Sequence, residues 1–164
     1  MTSPSIRPLG RPGDLGWVVM AHGEQYAAEF GWNSEFEELV ARIVADYAAG
    51  HDPRREAAWI AERGEERVGC IFCVADEEPR VAKLRILLVT NAGRGHRLGT
   101  QLLDTSMTFA QNAGYDRVRL WTNDPLTAAR RIYLSRGFVL TAQEPHRSFG
   151  HDLVGQFYER DLRP

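Results

Sequence analysis

Between positions 89 and 103 the chain reads VTNAGRGHRLGTQLL, with three glycines and two arginines placed where a strand-like run gives way to a helix-like one. A helix beginning there leaves its first backbone N–H groups without intrahelical acceptors. The helix dipole adds partial positive charge at the same end. Glycine lets backbone approach a ligand closely, and Arg94 and Arg97 can add charge-assisted hydrogen bonds. Together these residues suit an anion, and phosphate is the usual guest at such a helix start. The competing reading is a solvated glycine-rich loop. Further on, YLSRGF at 133–138 sets Tyr133 shortly before a glycine. Its hydroxyl can give up a proton during a group transfer, or its ring can pack a helix against a sheet with the hydroxyl merely satisfied.

Rival motifs fail. No GxxxxGK[ST] occurs, and GRGHRLG at 93–99 spaces its last glycine one residue too far for GxGxxG. No acidic residue follows at the ribose position of a dinucleotide fold. Cys70 and Cys73 have C-x-x-C spacing but lie within RVGCIFCVA, a strand pattern. Residues three apart on a strand face opposite sides. The pair therefore reads as two reduced, buried thiols, which favours a cytoplasmic setting. His146 and His151, with Asp152, have no further ligand beside them, so no metal is expected.

The elements that must position these groups follow from the periodicity. SIRPL at 5–9 suits a short first strand, and Asp14 suits the N-cap of a helix running to about Gly23. EQYAAEFGW continues helical and stops at Gly31, after which Asn33 or Ser34 caps a helix with apolar positions Phe36, Leu39, Val40, Ile43, Val44 and Tyr47. The period then shortens: AAWIAER and RVGCIFCVAD flank a hairpin signal, and VAKLRILLV completes a meander. A helix over 98–113 ends at Gly114, RVRLWT is a strand, and Asp124 with Pro125 starts a helix to about Ser135. FVLTAQEPH and QFYERDL are two last strands separated by the polar RSFGHDLVG. Trp17, Trp59 and Trp121 are expected in the core. The order implies an α+β fold, a mixed sheet with helices on both faces.

The totals agree. The 164 residues suit a single domain, 1–164, large enough to need no disulfide or metal staple. A net charge of −2 lacks the basic footprint of a nucleic-acid binder. Arginines such as Arg85, Arg94, Arg97, Arg119 and Arg130 nevertheless gather in the second half, which suits a small anionic ligand. No apolar run approaches membrane-spanning length, and MTSPSIRPLGRPGDLG lacks the apolar stretch of a secretory signal.

RGHRLG at 94–99, following a strand, and YLSRGF at 133–138, on a second helix, match [RQ]-x-x-G-x-[GA] and Y-x-x-x-G-F in register. With the order of elements, this pattern resembles the GNAT family of acetyl-CoA-dependent N-acetyltransferases over nearly the whole chain. The resemblance implies the mostly antiparallel acyl-CoA N-acyltransferase fold, with acetyl-CoA as co-substrate and transfer to a small-molecule or peptide amine in a ternary complex. It implies that Leu87, Leu88 and Val89 face the pantetheine arm, that Arg94, Gly95, Arg97, Leu98, Gly99 and Thr100 form the phosphate loop, and that Asn123 and Tyr133 lie near the thioester. Arg97 stands where the family's motif has its central glycine, and Leu126 where many members carry asparagine. Tyr133 is the implied general acid. Tyr26, Phe30 and Trp32 fall where the family's first helices cover the acceptor, and they either wall that pocket or only pack helix on sheet. His22, Glu29 and His151 are candidate bases.

Direct contact with nucleic acid or membrane is not expected, and the resemblance implies pairing of two copies through the last strands. A non-catalytic acyl-CoA sensor is the alternative function. The segments GDLGWVVMAHGEQYAAEFGWN, WIAERGEERVGCIF, LWTN and SFGHDLVGQFYERDL further resemble the acetyltransferase half of bacterial proteins with a MarR-like regulator in front, of which this chain looks like a stand-alone relative.

Overall fold

The computed structural model describes residues 3–163. In chain order its elements are β1 (Pro4–Pro8), α1 (Asp14–Phe30), α2 (Ser34–Gly50), β2 (Ala57–Arg63), β3 (Glu66–Ala75), β4 (Val81–Val89), α3 (Leu98–Asn112), β5 (Arg117–Asn123), α4 (Thr127–Ser135), β6 (Val139–Ser148) and β7 (His151–Asp161), with one 3₁₀ turn at Asn91–Gly93. The seven strands make one sheet in the order β1-β2-β3-β4-β5-β7-β6. Every neighbouring pair is antiparallel except β4 and β5. The expected α+β class, mixed sheet and two-faced helix cover are all present.

Strand alternation decides what each face buries. On β3, Ile71 and Cys73 join Leu102, Leu103 and Met107 of α3 on one side. Cys70 and Phe72 meet Val40, Val44 and Tyr47 of α2 on the other. The two cysteines thus face opposite ways, both buried and unbridged.

Four sequence expectations need correction. The helical stretches on either side of Gly23 form one unbroken helix, because the missing side chain leaves room for Glu37 of α2. Asp14 does not cap that helix. Gly13 is the N-cap, and the Asp14 carboxylate turns inward to accept from the Gly10 and Arg11 N–H groups and from Arg7 and Arg67. Asp124 likewise does not cap α4. Its carboxylate accepts from the Val154 N–H at 2.8 Å and ties α4's approach to β7, while Leu126 occupies the cap position. Finally, the polar RSFGHDLVG is mostly strand, closed by a two-residue turn in which Phe149 (φ 57°) and Gly150 (φ 84°) are both left-handed. That is the geometry a tight hairpin demands. Phe149 tolerates it because its ring is buried against Trp32 and Phe36.

Asn33 caps α2 as expected, accepting from the Glu35 N–H at 3.0 Å. Trp59 is buried and Trp17 half-buried, but Trp121 is 39 % exposed, on the side of β5 away from the buried Val118 and Leu120.

Candidate active site

The sheet comes apart at its centre. β4 and β5 pair only from Val81↔Arg117 to Leu84↔Leu120. Beyond Leu84, β4 carries a bulge: β3 advances from Phe72 to Cys70 while β4 advances from Arg85 to Leu88, and Ile86 takes φ 49°. A bulge bends its strand. β4 therefore leaves β5, and its edge toward β5 has no strand partner over the last residues.

Two cavities open along this split. The larger, about 510 Å³, is lined by Leu87, Leu88, Val89, Arg94, Gly95, Arg97, Leu98 and Gly99, by Gln25, Glu29 and Phe30 of α1, and by the start of α4. Its floor is the N-terminus of α3. Arg97 is the N-cap with φ 56°, so the chain makes at an arginine the left-handed turn that a glycine makes at no steric cost. Gly95 (φ 86°) makes a second such turn. Gly99 serves packing instead: a Cβ there would stand 2.7 Å from Ile132 of α4. Arg94 forms an ion pair with Glu29 across the mouth. Thr100 lies in the first turn of α3 outside the wall of this cavity.

The smaller cavity, about 370 Å³, is walled by His22 and Tyr26 of α1, Trp32, Phe36, Leu39 and Ile43 toward α2, Arg85 and Ile86 of β4, Trp121 and Asn123 of β5, and Tyr133, Glu144 and Phe157. Tyr26, Leu87, Leu126 and Ala129 line both cavities and mark where they meet. Tyr133 is buried, with its ring near Phe138 and Tyr158. Burial pushes its pKa up, so the proton stays on. Its hydroxyl has no hydrogen-bond partner among the described residues.

The expected site residues sort between the two cavities. Tyr26 stacks on Phe36 at 4.7 Å and stands at the junction, Trp32 lies in the smaller cavity, and Phe30 faces the larger one. Asn123 reaches the smaller cavity, where its Oδ1 accepts from Nε2 of His146 at 2.7 Å, while Nδ1 of that ring accepts from Ser148. The three candidate bases do not converge. Glu29 is held by Arg94, and His151 donates to the Gly31 carbonyl at 3.0 Å.

His22 does reach the smaller cavity. Its Nδ1 is 2.7 Å from the Val18 carbonyl and must carry the proton, which leaves Nε2 a buried lone pair without a partner among the described residues. Burial pushes its pKa down to about 4, which suits an acceptor of a hydrogen bond and not a store for a proton. Sequence reasoning missed Glu144 and Phe157, and it counted Arg85 among the arginines suited to an anionic ligand without placing it in this cavity. For Arg85 a signal existed: charges at Lys83 and Arg85 alternate with Ala82 and Leu84 in an otherwise apolar strand.

Residues 15–138 match the acetyltransferase (GNAT) family, and the chain belongs to it. N-acetyltransferase 8B of Rattus norvegicus is 28 % identical over 117 residues, 68 % of this chain and 53 % of its own length. An N-acetyltransferase of Schizosaccharomyces pombe is 28 % identical over 87 % of this chain and 85 % of its own. The chain spans about half the length of most of the curated relatives it matches. A GNAT-family structure from Desulfovibrio desulfuricans superposes with TM-score 0.79 at 15 % identity, covering 98 % of this chain and 100 % of its own. A structure from Salmonella typhimurium, solved with its cofactor acetyl-CoA, superposes with TM-score 0.74 at 20 % identity, covering 98 % and 95 %.

Proposed function

We propose that the protein transfers an acetyl group from acetyl-CoA to an amine by direct attack in a ternary complex. One observation carries this: two cavities of different character meet where β4 and β5 part, with Tyr133 in the wall beside the junction. The larger cavity fits a nucleotide thioester in kind. Its floor offers the unpaired amides that open α3, its rim offers Arg94 and Arg97, and its far wall is the open edge of β4. When bound, acetyl-CoA supplies an acyl group activated by a thiol leaving group.

The chain's residues do the rest. The amides of Leu98 and Gly99 and the guanidinium of Arg94 hold the diphosphate, and Leu87 to Val89 align the arm along the split. The amine arrives through the smaller cavity. A nitrogen–carbon bond forms there as the carbon–sulfur bond breaks. Tyr133, protonated because it is buried, gives its proton to the sulfur and regains one from water once the thiol has left. The proton the amine sheds passes toward Glu144, the carboxylate in the wall of that cavity. No cysteine lines either cavity among the described residues, and burial pushes the Cys73 thiol up to about 12. This favours direct attack over an acyl-enzyme.

We further propose a cytoplasmic setting, kinship with the acetyltransferase half of the MarR-like fusion proteins, and pairing of two copies along the exposed strand β6. Among the described residues no helix is long and apolar enough to cross a membrane.

The test is thiol release over an amine panel, with acetyl-CoA binding followed by titration calorimetry. Tyr133→Phe should lower kcat by about a hundredfold while leaving acetyl-CoA affinity unchanged. An unchanged kcat removes Tyr133 from the chemistry. Tight acetyl-CoA binding with no release from any amine would point instead to the sensor alternative.

A further inference from the structure

Four cations stand on the side of β4 and β5 that faces α1 and α2, opposite the buried Ala82, Leu84, Val118 and Leu120. Three of them have carboxylates. Arg119 meets Asp76 at 2.5 Å, Glu78 at 2.7 Å and Glu159 at 2.9 Å. Lys83 stands 3.8 Å from Asp76, and Arg117 is 3.1 Å from Asp161. Arg85, the fourth, forms no hydrogen bond or ion pair with any described residue, although it is half-buried and lines the smaller cavity. Asp46 and Asp76 are near enough to favour its charge but do not pair with it, and desolvation outweighs them.

A guanidinium withdrawn from water without a counter-ion is unfavourable. Its planar fork matches a carboxylate bidentately. The cavity it lines is largely apolar, with Leu39, Ile43 and Phe157, while Lys83, Arg119 and Glu144 also reach its wall. At about 370 Å³ the cavity takes a small molecule.

We infer that the acceptor is a small amine that also bears a carboxylate and an apolar body, an apolar amino acid or a close analogue, with Arg85 pairing its carboxylate. The inference rests on the acetyl-transfer proposal for that cavity. It assigns Arg85 to substrate selection and gives it no part in the proton transfers. It disfavours a lysine on a folded protein surface, which brings no carboxylate on so short a tether.

Matched pairs test it: phenylalanine against phenethylamine, and leucine against isoamylamine, each assayed by thiol release with wild type, Arg85→Gln and Arg85→Lys. Wild type should favour the carboxylate-bearing member by about tenfold or more in kcat/KM. Arg85→Gln should erase the preference through KM, and Arg85→Lys should keep part of it, while acetyl-CoA affinity stays fixed in both. Thermal melting supplies a second check. Arg85→Gln should not lower Tm, because it removes an unpaired charge, whereas an arginine with a structural role would lower it.

Equal turnover of the paired amines by wild type, or a preference that survives in Arg85→Gln, overturns the inference. If no amine releases thiol, the transfer proposal falls by itself, and the anion site is read by titrating N-acetylphenylalanine against its amide with CoA present. Arg85-dependent preference for the acid keeps the site, and equal binding removes it.

Discussion

The two ends of the central split are built in different ways. The larger cavity gathers α1, the end of β4, the start of α4 and the loop from Gly93 to Gly99 with the first turn of α3, whose unpaired backbone amides form its floor while side chains add charge at the rim. The smaller cavity draws on α1, α2, β4, β5, α4, β6 and β7, and His22, Arg85, Tyr133 and Glu144 from four of them stand in its wall. A backbone cradle recognises a chemical group shared by many molecules, in our proposal a diphosphate. A pocket of side chains from seven elements can be retuned one residue at a time. Under the transfer proposal, the end with the backbone amides takes the co-substrate and the other end chooses the acceptor.

α1 is the element both ends share, since Gln25 and Glu29 face one cavity, His22 the other, and Tyr26 both. Its start is fixed by Asp14, a fully buried carboxylate held well below the usual range by Arg7, whose bond outweighs the desolvation of burial, and by the Gly10 N–H. The largest effect should therefore come from a change that touches neither cavity. Asp14→Asn leaves Arg67 facing a neutral group and Arg7 with Glu62 alone, at 2.7 Å, and breaking such a buried pair costs about 3 kcal/mol. Denaturant unfolding should show that loss. Acetyl-CoA and acceptor binding should weaken together in the folded fraction. Loss at one end alone would show that α1 does not couple them.

His22 separates the ends by pH. Folded, its pKa is pushed down to about 4 by burial, against an ordinary 6.5 in the unfolded chain. Between these values the unfolded state binds the proton more readily, so stability falls as pH drops from 6.5 toward 4 and levels off below. The difference corresponds to about 3 kcal/mol. His22→Leu should flatten that part of the stability–pH curve and impair acceptor turnover, with acetyl-CoA affinity unaltered. A curve of the same slope in the variant would place the titration elsewhere.

The same contrast explains what the sequence disclosed. The glycine-bearing turn into α3 and the order of elements were legible because each is local: spacing, glycines and a strand-to-helix change sit within a few residues of one another. The strands of the meander matched almost to the residue because alternation is also local. The acceptor cavity was not legible, since Arg85 and Glu144 are 59 positions apart in chain numbering and meet only once the sheet order is set. Even the local errors have tertiary causes. Asp14 and Asp124 are cap-forming types, but partners from other elements took their carboxylates inward. Trp121 reads as core by type, yet it lies beside the cavity because β5 has no helix over that face there.

Within the larger cavity two substitutions probe how far charge adds to backbone. Arg97 holds a left-handed conformation that disfavours any residue with a Cβ. Arg97→Gly should raise stability by about 0.5–1 kcal/mol after allowing for glycine's greater freedom when unfolded. If its guanidinium also meets phosphate, acetyl-CoA affinity falls in the same variant and its salt dependence becomes shallower. A rise in affinity would mean that the side chain obstructs the approach.

Glu29→Gln is the gentler probe. Glu29 neutralises Arg94 at the mouth of the cavity, and in the proposed complex Arg94 exchanges that partner for a phosphate. Both side chains retain solvent access, so the pair contributes no more than about 1 kcal/mol. Freeing Arg94 should tighten acetyl-CoA binding by up to about fivefold at low salt, with the gain fading as salt screens the arginine. Acceptor KM should not move, because Glu29 lies outside the smaller cavity. Weaker binding would reverse the assignment: Glu29 would then be holding Arg94 in the position from which it reaches the diphosphate.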